Sequence, residues 1–306
     1  MPMEKSVSLR VPATSANCGP GFDSLGLACT LYNYVTYTLK DQPGLELEVA
    51  GEGQGLLTPD VHNLAISSFL QAWKLATGGE PQGLKLTMKN NIPLSRGLGS
   101  SSSAIVAGIY AAHCLSGKKL SYQQMLTLAT AIEGHPDNVA PALYGGLTIS
   151  YTDDQGPHSL RLLPAKPLKF IAVVPATPLS TSLARQAIPA TVPHGDAVFN
   201  TARASLLIGA LLSGQYDYLA AGLEDKLHQP YRAKLIPGLE QVWEAARKAG
   251  AYNAIISGAG STVMAYAPWE ADHEAIGRAM QDAFARRGEA AVYHLLDLDV
   301  EGVQEI

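Results

Sequence analysis

Apolar and polar residues alternate along residues 6–11, and again along Gly44–Gly51, where Leu45, Leu47 and Val49 share one side. That period of two predicts half-buried strands. "LYNYVTYTLK", residues 31–40, is dense in β-branched and aromatic side chains and predicts a longer strand. Residues 83–88 read as another. The spacing changes in "NLAISSFLQAWKLATGG", where Leu64, Phe69, Ala72, Trp73 and Ala76 recur as on one side of a helix that Gly78 closes. Residues 104–115 are apolar on every side, the pattern of a buried helix. A further helix covers residues 121–132, with Ser121 as its cap.

A strand at 144–150, opened by glycines, ends this half of the chain. "LKFIAVVP", residues 168–175, reads as a buried strand, and residues 176–195 as a loop holding three prolines. Helices follow at 196–212 and 238–248. Residues 253–268 read as strand, glycine turn and strand, then come a helix to about residue 287 and a last strand at 291–298. Strands and helices interleave without a strict βαβ rhythm, which favours α+β over a doubly wound sheet. The change of character places a lobe boundary between residues 150 and 170.

With 306 residues the chain can bury a sizeable core, as one large domain or two lobes. Its apolar share of 47% and charged share of 16% are those of a soluble globular protein. A formal net charge of −5 with no basic cluster argues against a nucleic-acid partner. The first residues lack the apolar run of a signal peptide, and the longest apolar stretch is too short to span a bilayer. A cytoplasmic location with no membrane partner is therefore expected. Cys18, Cys29 and Cys114 stand too far apart for a disulfide framework or a zinc site, and read as buried fillers in a reducing compartment.

Candidate chemistry is confined to glycine-containing segments. There is no G-x-x-x-x-G-K-[ST], no G-x-S-x-G and no H-E-x-x-H. "GEGQGL" at Gly51 misses the dinucleotide spacing and reads as a turn. "VPATSANCGPGFDSLGLA", residues 11–28, holds an irregular backbone while presenting Thr14, Ser15, Asn17 and Asp23. "IPLSRGLGSSSSAI", residues 92–105, places Gly97 and Gly99 before four serines that open a helix. Such a loop offers backbone N–H groups to an anion at a helix N-terminus. "SGAGST", residues 257–262, is a tight turn able to pass close to a phosphate.

Taken together, the three segments resemble the three motifs of the GHMP kinases, and the middle one resembles their phosphate loop, P-x-x-x-G-L-G-S-S. Order and separation match over essentially the whole chain. With "EGHPDNVAPALYGGL" added, the likeness narrows to the homoserine kinase branch. The resemblance implies an α+β, two-lobed GHMP kinase fold. A left-handed β-α-β phosphate-binding unit would lie in an N-terminal lobe, residues 1–160, and residues 161–306 would form a ferredoxin-like C-terminal lobe. The implied reaction moves the γ-phosphoryl group of ATP to the side-chain hydroxyl of L-homoserine, with Mg²⁺ as cofactor, in a homodimer. Two alternatives stay open: a kinase of another small alcohol, and a ligand sensor of the same fold without activity.

Site residues carried by the resemblance follow. Pro93, Leu94, Ser95, Arg96, Gly97, Leu98, Gly99, Ser100, Ser101, Ser102 and Ser103 would wrap the phosphates. Ser100 or Ser101 would meet Mg²⁺ together with Glu133, few protein oxygens being what that ion takes. Asn63 reads equally as a nucleotide contact and as a helix N-cap. Asn17, Asp23, His135, Asn138, Arg185 and Arg232 would hold the amino acid. An aspartate suits its ammonium group, and arginines suit its carboxylate. Glu133, Ser101 and Arg185 would serve the chemical step. Asp137 corresponds roughly to a catalytic aspartate of related mevalonate kinases, and is read here as structural or orienting.

Overall fold

The computed structural model describes residues 5–306; the reading of residues 1–4 lies outside the described residues. Strand β1 (Ser6–Ala16) pairs antiparallel with β2 (Leu25–Lys40), Leu9 facing Val35. The pattern had placed the end of β1 before Pro12. The strand continues because the register shifts between Pro12 and Ala13. There the ladder is interrupted, and a residue without an N–H is tolerated. Strand β3 (Gly44–Gly51) lies parallel to β4 (Gly83–Asn90), and helix α1 (Leu64–Thr77) makes the crossover between them. Asn63 caps α1 and Gly78, in the left-handed region, ends it.

Helix α2 (Ser100–Leu115) starts four residues ahead of its apolar run, so the serines form its first turn. Helix α3 (Tyr122–Glu133) carries a capping box of Ser121 and Gln124. Helix α4 (Pro136–Tyr144) has no counterpart among the expected elements. Pro136 suits a first turn, whereas Pro141 inside the helix hides it from a periodicity reading. Pro141 has no N–H to offer the carbonyl of Asp137 four residues back. Gly26 of β2 packs on that carbonyl so closely that a Cβ would come within 1.8 Å of it. Strand β5 (Leu147–Asp153) therefore begins three residues later than expected, after α4, and pairs with β2 and with β6 (Gly156–Leu162).

Beyond Leu162 the chain enters a second sheet. Strand β7 (Lys169–Pro175) is followed by α5 (Thr181–Gln186), within the segment expected to be loop, and by α6 (His194–Ser213). Short helices α7 (Leu219–Gly222) and α8 (Gln229–Arg232) lead to α9 (Leu239–Lys248). Strands β8 (Asn253–Ile256) and β9 (Val263–Ala267), helix α10 (His273–Ala285) and strand β10 (Ala291–Leu296) complete this sheet, in the order β10-β7-β9-β8. All its pairings are antiparallel. Numbered along the chain the order is 4-1-3-2, the ferredoxin-like arrangement. Strand β11 (Gln304–Glu305) returns to pair with β1 in the first sheet.

Burial follows the period-two geometry. Phe170, Ala172 and Val174 of β7 pack with Leu27, Ile92 and Leu98 in a core shared by both sheets. Ile171 and Val173 face the other way, onto Val242, Ile276 and Phe284 of α9 and α10. Both faces of β7 are covered, which is why its sequence is continuously apolar. A third core lies between the first sheet and α1–α4, with Leu9, Val35 and Leu86 against Phe69, Ile105, Leu126 and Val139. The cysteines are free, and burial pushes the Cys18 thiol up to about 12. Among the described residues no helix is long and apolar enough to cross a membrane.

Candidate active site

The three glycine-containing segments meet at one place. Ser257 Oγ donates to Gly97 O (2.6 Å) and accepts from Ser15 Oγ (2.8 Å). Thr262 N donates to Arg96 O, Gly258 N to Ala16 O, and Thr14 N to Leu98 O. Together they floor a cavity of about 430 Å³. Asn17, Asp23, Asn63, Leu94, Ser95, Arg96, Gly97, Gly99, Ser100, Ser101, Glu133, His135, Asn138, Arg185 and Arg232 line it.

Four residues of the proposed phosphate loop do not. Leu98 is buried in the shared core and Pro93 stands outside the lining. Ser103 is buried, its Oγ accepting from Asn33 Nδ2 at 3.4 Å. Ser102 sits behind the wall, but its hydroxyl reaches Glu133. Arg96 lines the cavity with its guanidinium engaged elsewhere, donating to the carbonyls of Pro175, Leu94 and Ala176. Any role of Arg96 toward a ligand therefore falls to its backbone.

At one end of the cavity helix α2 begins at Gly99, with no side-chain cap and no acidic residue in its first turn. The first N–H groups of a helix have no partner within it, and with the helix dipole they make a field for an anion. Among the described residues no lysine lines the cavity, so this backbone field supplies positive charge at that end. Below it, Ser101 Oγ and Ser102 Oγ donate to the same Glu133 Oε1, at 2.8 and 2.9 Å. Of the two serines left open by the sequence, Ser101 makes this contact, and Ser102 rather than Ser100 joins it. Asn63 Oδ1 accepts from Ala65 N and Ile66 N, so it is the N-cap as well as a lining residue.

The other end carries paired charges. Asn17, Cys18 and Asp23 all have positive φ, which folds their loop back on itself. Asn17 Oδ1 accepts from Asp23 N, and Asn17 Nδ2 donates to Gly258 O. Asp23 receives both Nη groups of Arg185, at 3.0 and 2.7 Å, each side chain a little more than a third exposed. Arg185 stands on α5, which Ser180 caps. Arg232 is buried, its Nη1 donating to Gly258 O at 2.9 Å. Desolvation, then the like charge of Arg185, bring its pKa down to about 10. Both guanidinium groups lie over the ring of Phe22, at 5.2 and 5.6 Å.

Between the two ends, His135 Nδ1 lies 2.5 Å from Asp137 Oδ1. Burial pulls the His135 pKa down, but the hydrogen bond and charge of Asp137 outweigh it and leave it raised. Asp137 is itself buried. Thr14 Oγ1 donates to Asn138 Oδ1 at 2.8 Å. Neither Thr14, beyond its place in the first segment, nor Phe22 carries a signal of its own in the sequence. A buried threonine next to a glycine loop and an aromatic between two arginines are signals only once the loops are brought together.

An uncapped helix start facing a carboxylate, walled by three glycine turns from two sheets, defines the phosphotransferase class of the GHMP kinases. The family profile for the GHMP kinases N terminal domain matches residues 63–146, and that for the GHMP kinases C terminal region matches residues 207–286. The chain is 45% identical over 282 residues to the homoserine kinase of Carboxydothermus hydrogenoformans, covering 92% of this chain and 91% of that one. It is 42% identical over 313 residues to the homoserine kinase of Microchaete diplosiphon, covering 100% and 99%. The crystal structure of homoserine kinase from Cytophaga hutchinsonii aligns with a TM-score of 0.90 at 29% identity, over 100% of this chain and 99% of that one. The chain belongs to the homoserine kinase family. ATP is a substrate of the GHMP kinases.

Proposed function

We propose that this chain transfers the γ-phosphoryl group of ATP to the side-chain hydroxyl of L-homoserine, giving ADP and O-phospho-L-homoserine. The observation that carries the reading is a single cavity with an anion field at one end and an Asp23–Arg185 pair at the other. A zwitterion presents an ammonium to Asp23 and a carboxylate to Arg185 and Arg232, replacing one set of charge contacts with another. The triphosphate lies along residues 94–101, where backbone N–H groups hold it. Leu57, Leu64, Met88 and Leu94 supply apolar surface for the base. Phosphoryl transfer needs positioning and neutralisation more than covalent chemistry, and the site offers those.

Glu133 with the Ser101 and Ser102 hydroxyls is an all-oxygen donor set beside the phosphate end, and it fits Mg²⁺. These residues would hold the ion, which when bound neutralises phosphate charge. His135 and Asn138 orient the amino acid from the start of α4. Asp137, tied to His135, keeps that histidine in place, in line with an orienting role. A homodimer and a division near residue 160 belong to the same reading. The first is expected by likeness to the family alone, and the change of sheet between Leu162 and Lys169 supports the second. The cytoplasmic reading is supported by the free cysteines.

The test compares homoserine with 3-aminopropan-1-ol, the same alcohol without its carboxylate, in a coupled ADP assay. A hydrogen bond to a charged group contributes about 1.5–3 kcal/mol, so kcat/KM falls roughly ten- to a hundred-fold for the truncated alcohol. Arg185→Met removes part of that preference, Arg232 keeping the rest, and leaves KM for ATP in place. Equal rates on both alcohols would replace this reading with a kinase of another small alcohol.

A further inference from the structure

Arg232 has a histidine, His228, as its neighbour. His228 is fully buried, one helical turn before Arg232. Its two ring nitrogens face partners of opposite kind. Arg232 Nη1 lies 3.3 Å from Nδ1. A guanidinium only donates, so Nδ1 accepts. The carbonyl of Gly19 lies 2.8 Å from Nε2. A carbonyl only accepts, so Nε2 carries the proton. The partners fix a neutral imidazole in the Nε2–H tautomer.

The surroundings agree with that state. Asp225 Oδ2 is 3.5 Å from Nε2, but its carboxylate already accepts from the backbone N–H groups of Leu227, His228 and Gln229. Phe22 stacks on the imidazole at 5.2 Å and carries both guanidinium groups on its ring. A protonated ring would turn an N–H toward Arg232 and add a cation beside Arg232 and Arg185. Burial accordingly lowers the His228 pKa.

Arg232 Nε donates to Ala184 O at 3.3 Å, and Nη1 to Gly258 O and His228. Nη2 has no protein hydrogen bond among the described residues, and Arg232 lines the cavity. We propose that His228 is a positioning residue: as a neutral acceptor it fixes the plane of Arg232, leaving Nη2 free to receive the substrate carboxylate. Through Gly19 the same ring ties that plane to the loop carrying Asp23, so the contacts for carboxylate and ammonium hold a fixed separation. The proposal rests on the amino-acid reading of the site.

Two substitutions divide the ring's two bonds. His228→Asn keeps an acceptor near the Nδ1 position and loses the donor to Gly19. His228→Gln keeps a donor near the Nε2 position and loses the acceptor for Arg232. KM for homoserine, KM for ATP and Tm are measured for both, together with the wild-type preference for homoserine over 3-aminopropan-1-ol. His228→Gln is expected to raise KM for homoserine about tenfold. His228→Asn should raise it less than about threefold, and KM for ATP should hold in both. Equal KM shifts, a larger shift in His228→Asn, or shifts that follow Tm overturn the positioning role. Absence of the preference in the wild type overturns the carboxylate reading beneath it, a separate result.

Discussion

Gly99→Ala probes how the phosphate loop is built. Gly99 sits at φ 68°, at the start of α2, where a side chain costs about 1–2 kcal/mol. Its added Cβ would stand 1.9 Å from Thr14 Oγ1 and 3.1 Å from Thr14 Cβ. Thr14 is fully buried, and its hydroxyl is committed to Asn138. Moving it breaks a buried hydrogen bond, a loss of about 1–3 kcal/mol. Strain and broken bond together give about 2–5 kcal/mol, against a typical domain stability of about 5–15 kcal/mol. Thr14→Ala alone loses the same bond, along with the buried Cγ2 methyl. In the double variant the strain remains but the bond is lost only once, so its destabilisation falls short of the sum by about 1–3 kcal/mol. Urea unfolding of the four proteins measures the coupling, and KM for ATP shows whether relieving the clash restores the loop. Additivity within about 0.5 kcal/mol would refute the argument that Gly99 is required by Thr14.

Glu133→Gln keeps an acceptor for Ser101 and Ser102 but removes the charge; kcat should fall on the order of a hundredfold while ATP still binds. Unchanged turnover at ordinary Mg²⁺ takes Glu133 out of the site. Because Asp137 leaves the folded pKa of His135 above 6.5, His135 stabilises the fold below that pH, and the contribution is lost as pH rises through the folded value. His135→Gln should flatten the urea midpoint over that window, and a His135 NMR titration midpoint at or below 6.5 contradicts the account.

Much of this was legible in the chain. Alternation located β3, and helical spacing with Asn63 and Gly78 bounded α1. Ser121 marked the start of α3, and the glycine segments marked the cavity's walls. What stayed hidden depended on tertiary contacts. Helix α4 carries a proline in its interior, and its packing on Gly26 cannot be seen without β2 in place. Helix α5, six residues inside a proline-bearing stretch, is too short to show a period, yet it carries Arg185. Strand β6 shows no alternation, since Pro157 is its one buried residue and Leu160 is exposed. The anion field at α2 was readable, since glycine and serine before an apolar run have a local cause. The Asp23–Arg185 pair was not, since its partners stand 162 residues apart.

The contact between Ser15 and Ser257, 242 residues apart along the chain, also sets an order of assembly. Chains emerge from the ribosome N-terminus first, and early segments fold as they appear. Most of the first sheet and its four helices are available once Leu162 has been made. Their phosphate loop still lacks the turn between β8 and β9, which supplies the hydroxyl on Gly97 O and the donor to Arg96 O. A half-made chain thus holds a packed core while its nucleotide cradle stays unbraced. The turn that braces the cradle is made late in synthesis, after Arg185 and Arg232 of the acceptor pocket are already in the chain.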